Sequence, residues 1–239
     1  LPGGSTTSSA AGIQKSSTGE WIVGASSSTQ TGSSALEAFL YSGADATFTG
    51  LGSLPGGTNQ SAANALAVIQ PTVVVGQSSS SASGANSTEA FAFYTEDNTL
   101  TALGSLPGGL YSSSASALNA VGTIIVGSSS SAASGANATE AFRWEDDHME
   151  GLGFLEGGLD SSAALAINNA GTLIAGASSS AASGTNSHEA FLWEEGVFTP
   201  LGDLPAGPHD SAALAISTRG IVVGRGHTEA GPRAFIWTA

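Results

Sequence analysis

"LEGGLDSSAALAINNAGTLIAGASSSAASGTNSHEAFLWEEGVFTPLGDL", residues 155–204, reads as four short strands joined by turn signals. The stretch Ser161–Ile167 is small and apolar. "NNAG" then offers Asn and Gly for positive φ, the mark of a turn. Thr172–Ser178, "TLIAGAS", is rich in β-branched and apolar residues, as expected of a strand buried on both faces. After the long loop "SSAASGTNS", His188–Glu194 alternates: Ala190 and Leu192 fall on one side, Phe191 and Trp193 on the other. "EEG" turns the chain into a last strand, Val197–Leu204.

The same unit recurs along the chain. "LGSLPGG" stands at 51–57 and again at 103–109, with "LGFLEGG" at 152–158 and "LGDLPAG" at 201–207. Residues 1–4 are the tail of this phrase. The marking leucines, Leu1, Leu54, Leu106, Leu155 and Leu204, lie 53, 52, 49 and 49 residues apart. Second strands carry "WIVGAS", "VVVGQS", "TIIVGS" and "IVVGRG". Third strands carry Glu37–Tyr41, Glu89–Phe93, Glu140–Trp144 and Arg233–Trp237. Ser, Gly, Thr and Val are poor helix formers and no unit shows a 3.6-residue period, so helix is not expected.

Four antiparallel strands repeated at about fifty residues are the pattern of a β-propeller, one small sheet per blade. The chain therefore reads as a single all-β domain over residues 1–239, a five-bladed β-propeller with units at 1–53, 54–105, 106–154, 155–203 and 204–239. The last unit has no residues left for a fourth strand after Trp237. Either its blade has three strands, or the fourth lies in sequence removed upstream.

Composition narrows the function classes. The formal charge is −14, from 19 acids against 5 bases. Nucleic acid, whose binding needs clustered Lys and Arg, is excluded as a partner, and an anionic membrane surface is repelled. Charged residues are only 10% of the chain, so its polar surface is hydroxyl-rich rather than ionic. Without cysteine there are no disulfides, thiol nucleophiles or thiolate metal sites. No apolar run approaches a membrane span, which excludes membrane insertion by a helix. Nothing near residue 1 reads as a signal peptide, and the first residue is not Met, so a mature or excised form is expected.

The unit "GLG-x-L-x-GG…SxAxxIN…G…(I/V)GxS…xxAF-x-W" resembles the HAF repeat family of bacterial extracellular proteins. Matches fall at Gly151–Gly158, at Ile167–Asn168 and at the Ala-Phe pairs 38–39, 90–91, 141–142, 190–191 and 234–235. The resemblance spans the whole chain but departs at the residue before Ala-Phe, which is Glu37, Glu89, Glu140, Glu189 or Arg233 instead of His. It implies a repeat fold and an extracellular location, and it carries no defined activity.

In antiparallel blades, the crossings between blades share one rim with the loops that join strands two and three. Loops on a rigid scaffold are where binding concentrates. That rim offers Gln60, Tyr111, Asp160 and Asp210 just before the first strands, with Asn86, Asn137 and Asn186 in the Ser-rich loops. Neutral hydrogen-bonding groups at repeated positions suit a glycan or an extracellular surface protein. The plainer reading of such loops is soluble connection. The repeated glutamates read as structural carboxylates serving the blade, with calcium or sugar ligation as the alternative; no cofactor is expected.

Catalytic signals are sparse. Glycoside hydrolysis needs two carboxylates about 5–10 Å apart, for which Asp160 and Asp210 are the candidates. The four histidines lack metal-ligand spacing and no GxSxG elbow is present. "Glu145-Asp146-Asp147" reads as a solvated turn. The sequence thus favours a secreted, non-catalytic binding or adhesion propeller. A polysaccharide-active enzyme and a structural subunit of an extracellular assembly, self-associating through an exposed blade edge, are the alternatives.

Overall fold

The computed structural model describes residues 1–4, 7–17, 19–31, 35–84, 87–134, 138–158, 160–183 and 187–238. Among them the regular structure is all strand. The first sheet comprises β1 (Ser8–Ser16), β2 (Gly19–Ser26), β3 (Glu37–Ser42) and β4 (Thr47–Gly52), and the second β5 (Ser61–Ala67), β6 (Val73–Ser78), β7 (Glu89–Tyr94) and β8 (Thr99–Gly104). The third holds β9 (Ser113–Leu118), β10 (Ile125–Ser129), β11 (Glu140–Glu145) and β12 (His148–Gly153). The fourth holds β13 (Ser162–Ile167), β14 (Leu173–Ser178), β15 (Glu189–Glu194) and β16 (Val197–Pro200). The last has three strands, β17 (Ser211–Ile216), β18 (Val222–Thr228) and β19 (Gly231–Trp237). This is the blade set of a five-bladed β-propeller with a three-stranded final blade.

The chain divides into two compact units. Leu1–Ser105 with Leu110–Gly122 contains β1–β9, and Leu106–Gly109 with Thr123–Ala239 contains β10–β19. In the first unit, Val23, Leu40, Leu51 and Leu54 of one blade meet Val74, Phe91 and Phe93 of the next. In the second, Ala175 and Ala190 meet Ala213 and Val222, flanked by Leu192, Phe235 and Trp237. Both faces of a blade are thus apolar, as the unbroken "VVV" and "LIA" runs require.

A glycine on each second strand makes room for the core aromatic. Gly24, Gly76, Gly127, Gly176 and Gly224 pair with Phe39, Phe91, Phe142, Phe191 and Phe235. A Cβ on Gly176 would lie 2.0 Å from the Ala163 carbonyl oxygen and 2.9 Å from the Phe191 ring. The rings of Phe91, Phe142 and Phe191 are fully buried there.

The fourth strand of the fourth blade ends at Pro200, short of the expected Leu204. Pro200 stands opposite Phe191, where Gly50, Ala102 and Gly151 stand opposite their own phenylalanines. The Leu201 N–H still donates to the Ala190 carbonyl at 2.8 Å, so the pairing runs one residue past the regular strand. The hairpin turns follow the local chemistry: Asp146 and Asp147 have φ of 50° and 59°, and Glu195 and Gly196 of 48° and 86°. Two successive positive φ values form the type I′ turn that suits the twist of a two-residue hairpin.

Candidate functional site on the rim of crossing loops

The recurring phrase is a turn pressed against its own blade. Gly57 N–H donates to the Leu54 carbonyl at 3.2 Å, and Gly109 and Gly158 repeat the bond to Leu106 and Leu155 at 3.3 Å. The third turn residue has positive φ, 71° at Gly56, 74° at Gly108 and 71° at Gly157, which makes each a type II turn. Ala206 takes the same conformation at 60°. The fourth residue is glycine for a different reason. A Cβ on Gly57, Gly109 or Gly158 would stand 2.1–2.2 Å from the carbonyl oxygen of Ser79, Ser130 or Ser179.

Buried serines then lock the turn. Ser78 Oγ accepts the Leu54 N–H at 2.9 Å and donates to the Ser79 carbonyl at 2.9 Å. Ser129 serves Leu106 in the same way, and Ser178 serves Leu155. Ser79 Oγ accepts the Thr58 N–H at 2.9 Å and donates to the Gln60 carbonyl at 3.1 Å. In the second to fifth blades the first serine reaches back to the preceding blade. Ser61 Oγ accepts from Ala38 N–H and donates to the Gly52 carbonyl, and Ser113 does so with Ala90 and Gly104. Ser162 joins Ala141 to Gly153, and Ser211 joins Ala190 to Gly202. A hydroxyl can accept and donate at once, so one serine satisfies two strand-end groups that no ladder reaches.

The described parts of the Ser-rich loops are likewise internally bonded. Ser80 and Ser83 each accept the other's N–H at 3.0 Å, as do Ser131 and Ser134. Most of these hydroxyls face the blade rather than solvent. The candidates Asn86, Asn137 and Asn186 lie outside the described residues.

The remaining candidates fall into two register classes. Gln60 and Asp210 immediately precede the first strands at Ser61 and Ser211, whereas Tyr111 and Asp160 stand two residues before Ser113 and Ser162. Asp160 and Asp210 therefore do not occupy matching places. The equivalents of Tyr111 and Asp160 are Asn59 and His209. Asn59, Tyr111 and Asp160 adopt φ of 57°, 50° and 52°, and all three are exposed, Tyr111 to 58%. The same backbone pattern thus presents an exposed tip in each of these crossings. Asn59 and His209 are legible once the units are aligned residue by residue, since each stands five residues after its exit-phrase leucine, as Tyr111 and Asp160 do.

The glutamates before Ala-Phe are buried. Glu37 Oε1 accepts the Gly52 N–H at 3.0 Å and Glu140 Oε1 that of Gly153 at 3.1 Å, while Glu89 Oε2 accepts from the Ser80 hydroxyl at 2.6 Å. Glu37 and Glu140 thus hold the bulged end of the fourth strand, and Glu89 ties down the start of the Ser-rich loop. Two Asp–His pairs lie at the last crossing. His209 Nδ1 is 2.8 Å from Asp203 Oδ2, and His227 Nδ1 is 3.1 Å from Asp210 Oδ2. Asp203 is nearly buried, and its Oδ1 has no partner among the described residues. Among those residues no three His, Asp or Glu side chains are grouped to hold a metal ion.

A cavity of about 620 Å³ lies on the outer face of the first blade, lined by Leu1, Pro2, Ile22, Phe39, Tyr41 and Phe48. Val74, Phe91 and Phe93, the second-blade counterparts of Ile22, Phe39 and Tyr41, are buried beneath the first blade. The cavity is therefore a largely apolar blade face, with Ser8, Ser9 and Ser26 as its small polar side chains.

No protein-family model and no curated protein sequence matches the chain. Among solved structures, a gluconolactonase from Xanthomonas campestris is similar over 97% of this chain and 74% of its own, at 15% identity and a TM-score of 0.51. TolB from Acinetobacter baumannii is similar over 91% of this chain at 12% identity and a TM-score of 0.46. The chain spans about half the length of TolB. At such identity the likeness to the gluconolactonase is one of fold.

Proposed function

We propose that the protein is a secreted, non-catalytic binding module whose crossing-loop rim holds a glycan or an extracellular surface protein. One observation carries the reading. The residues that build each crossing repeat nearly letter for letter, while the tip they present changes from Asn59 to Tyr111 to Asp160 to His209. Constant scaffold under varied, exposed tips is the arrangement of a recognition surface. An exposed tyrosine at one tip offers a stacking face, and the carboxamide and carboxylate at the equivalent positions offer hydrogen bonds. The resemblance to the HAF repeat family supports the extracellular location.

A glycan array, paired with capture on immobilised extracellular proteins, tests this. A hit is expected to weaken at least tenfold in an N59A/Y111A/D160A variant that keeps the wild-type urea midpoint. No ligand on either platform, or a ligand indifferent to all three changes, refutes the assignment to the rim.

A further inference from the structure

The outer edge of β19 stands apart from the other third strands. In four blades the third strand is paired on both sides, whereas among the described residues β19 is paired only with β18. Its residues are correspondingly open, Ile236 to 70%. An unpaired edge presents a row of backbone donors and acceptors and is a template for another strand.

The other blades say what fits there. Opposite the aromatic that corresponds to Trp237 they place Phe48, Leu100, Met149 and Phe198. Opposite the position of Ile236 they place Thr49, Thr101, Glu150 and Thr199, and opposite Phe235 a Gly, Ala or Pro. One feature of the fifth blade alters the match. Arg233 replaces the glutamate that accepts a fourth-strand N–H in the first and third blades. Arginine has donors and no acceptor, so it calls for an acid at the end of the incoming strand. Arg233 Nη1 donates to the adjacent Pro232 carbonyl at 2.9 Å, and the side chain is exposed.

We propose that the β19 edge binds, by strand addition, an extended segment of the repeat's own fourth-strand pattern: a large apolar residue, Thr, a small residue, Leu-Gly, then an acid that meets Arg233. Main-chain bonds supply the affinity and the apolar and acidic positions supply register. Residues 197–204, "VFTPLGDL", fit this pattern and make the natural probe.

The experiment titrates a fluorescently labelled VFTPLGDL peptide onto the whole chain, with anisotropy and tryptophan emission read together. Saturable one-to-one binding with a blue shift is expected, and a scrambled peptide should not compete. Arg233→Glu should weaken the peptide at least tenfold, and a peptide with Lys in place of its Asp should recover the loss. Urea midpoints of both proteins verify folding. No saturation, equal binding of the scrambled peptide, or no effect of the charge exchange overturns the proposal. So does light scattering that shows the chain alone as a dimer whose Ile236→Lys variant is a monomer, because the edge is then filled by a second copy.

Discussion

Ser113→Ala isolates the hydroxyl clasp between blades. Ser113 is 3% exposed, accepts the Ala90 N–H at 2.9 Å and donates to the Gly104 carbonyl. The substitution removes one oxygen and leaves two buried backbone groups, one donor and one acceptor, without their partner. A buried polar group left unpaired costs about 1–3 kcal/mol. Partial relaxation at the bulged strand end offsets some of this, so the expected loss is about 2–4 kcal/mol for the pair. Ser114, one residue on and partly exposed, provides the control, with Ser114→Ala expected within about 0.5 kcal/mol of wild type. Urea unfolding followed by tryptophan fluorescence reads both. With a slope of about 2–3 kcal/mol per molar, the Ser113→Ala midpoint should fall by about 1 M. Equal midpoints for the two variants would refute the view that the clasp contributes to stability.

Two further perturbations separate the packing and backbone requirements. Phe142→Ala empties a fully buried site facing Gly127 and should cost about 3–5 kcal/mol in the same urea assay; an unchanged midpoint counts against the ring as a core anchor. Gly109→Ala should destabilise much more than Gly104→Ala. A Cβ at 109 meets the Ser130 carbonyl oxygen at 2.1 Å, whereas one at 104 meets nothing within 4 Å and pays only for φ of 81°, about 1–2 kcal/mol. Thermal melts in which the two variants shift equally would remove the close-approach account of the exit phrase.

The strand plan was legible because each device is local. Alternation in "HEAFLWE", the β-branched run before "VG", and Gly, Asn and Asp between them act within a few residues of one another. The role of the serines was not. Ser78 and Leu54 are 24 residues apart, and Ser113 and Ala90 are 23 apart. In the sequence these hydroxyls are indistinguishable from solvated loop serines, and only the folded blade shows which are buried. The register of the rim candidates, by contrast, follows from counting residues within each unit. Each crossing runs seven residues from the exit-phrase leucine to the first-strand serine, and Gln60 and Asp210 stand six residues after that leucine where Tyr111 and Asp160 stand five. Counting back from the first-strand serine separates them and brings in Asn59 and His209.

The last crossing shows that the serine lattice is a solution to a backbone problem rather than a decoration of the surface. In the fourth blade Ser179 Oγ donates to the Ser161 carbonyl at 3.2 Å. The fifth blade has His227 at that register position, and its Nδ1 lies 3.3 Å from the carbonyl of Asp210, the residue equivalent to Ser161. Gly226 replaces the serine one step earlier, pairing with Ser211 as Ser178 pairs with Ser162. At that carbonyl the answering group has changed from hydroxyl to imidazole, while Gly226 offers no hydroxyl where Ser178 accepts the Leu155 N–H. A group that must reach a backbone oxygen can be exchanged for another donor of suitable length, whereas one selected for a ligand would change the surface without regard to that oxygen. The hydroxyl-rich composition therefore belongs largely to the blade. The positions left free to recognise something are the few tips that the lattice holds outward.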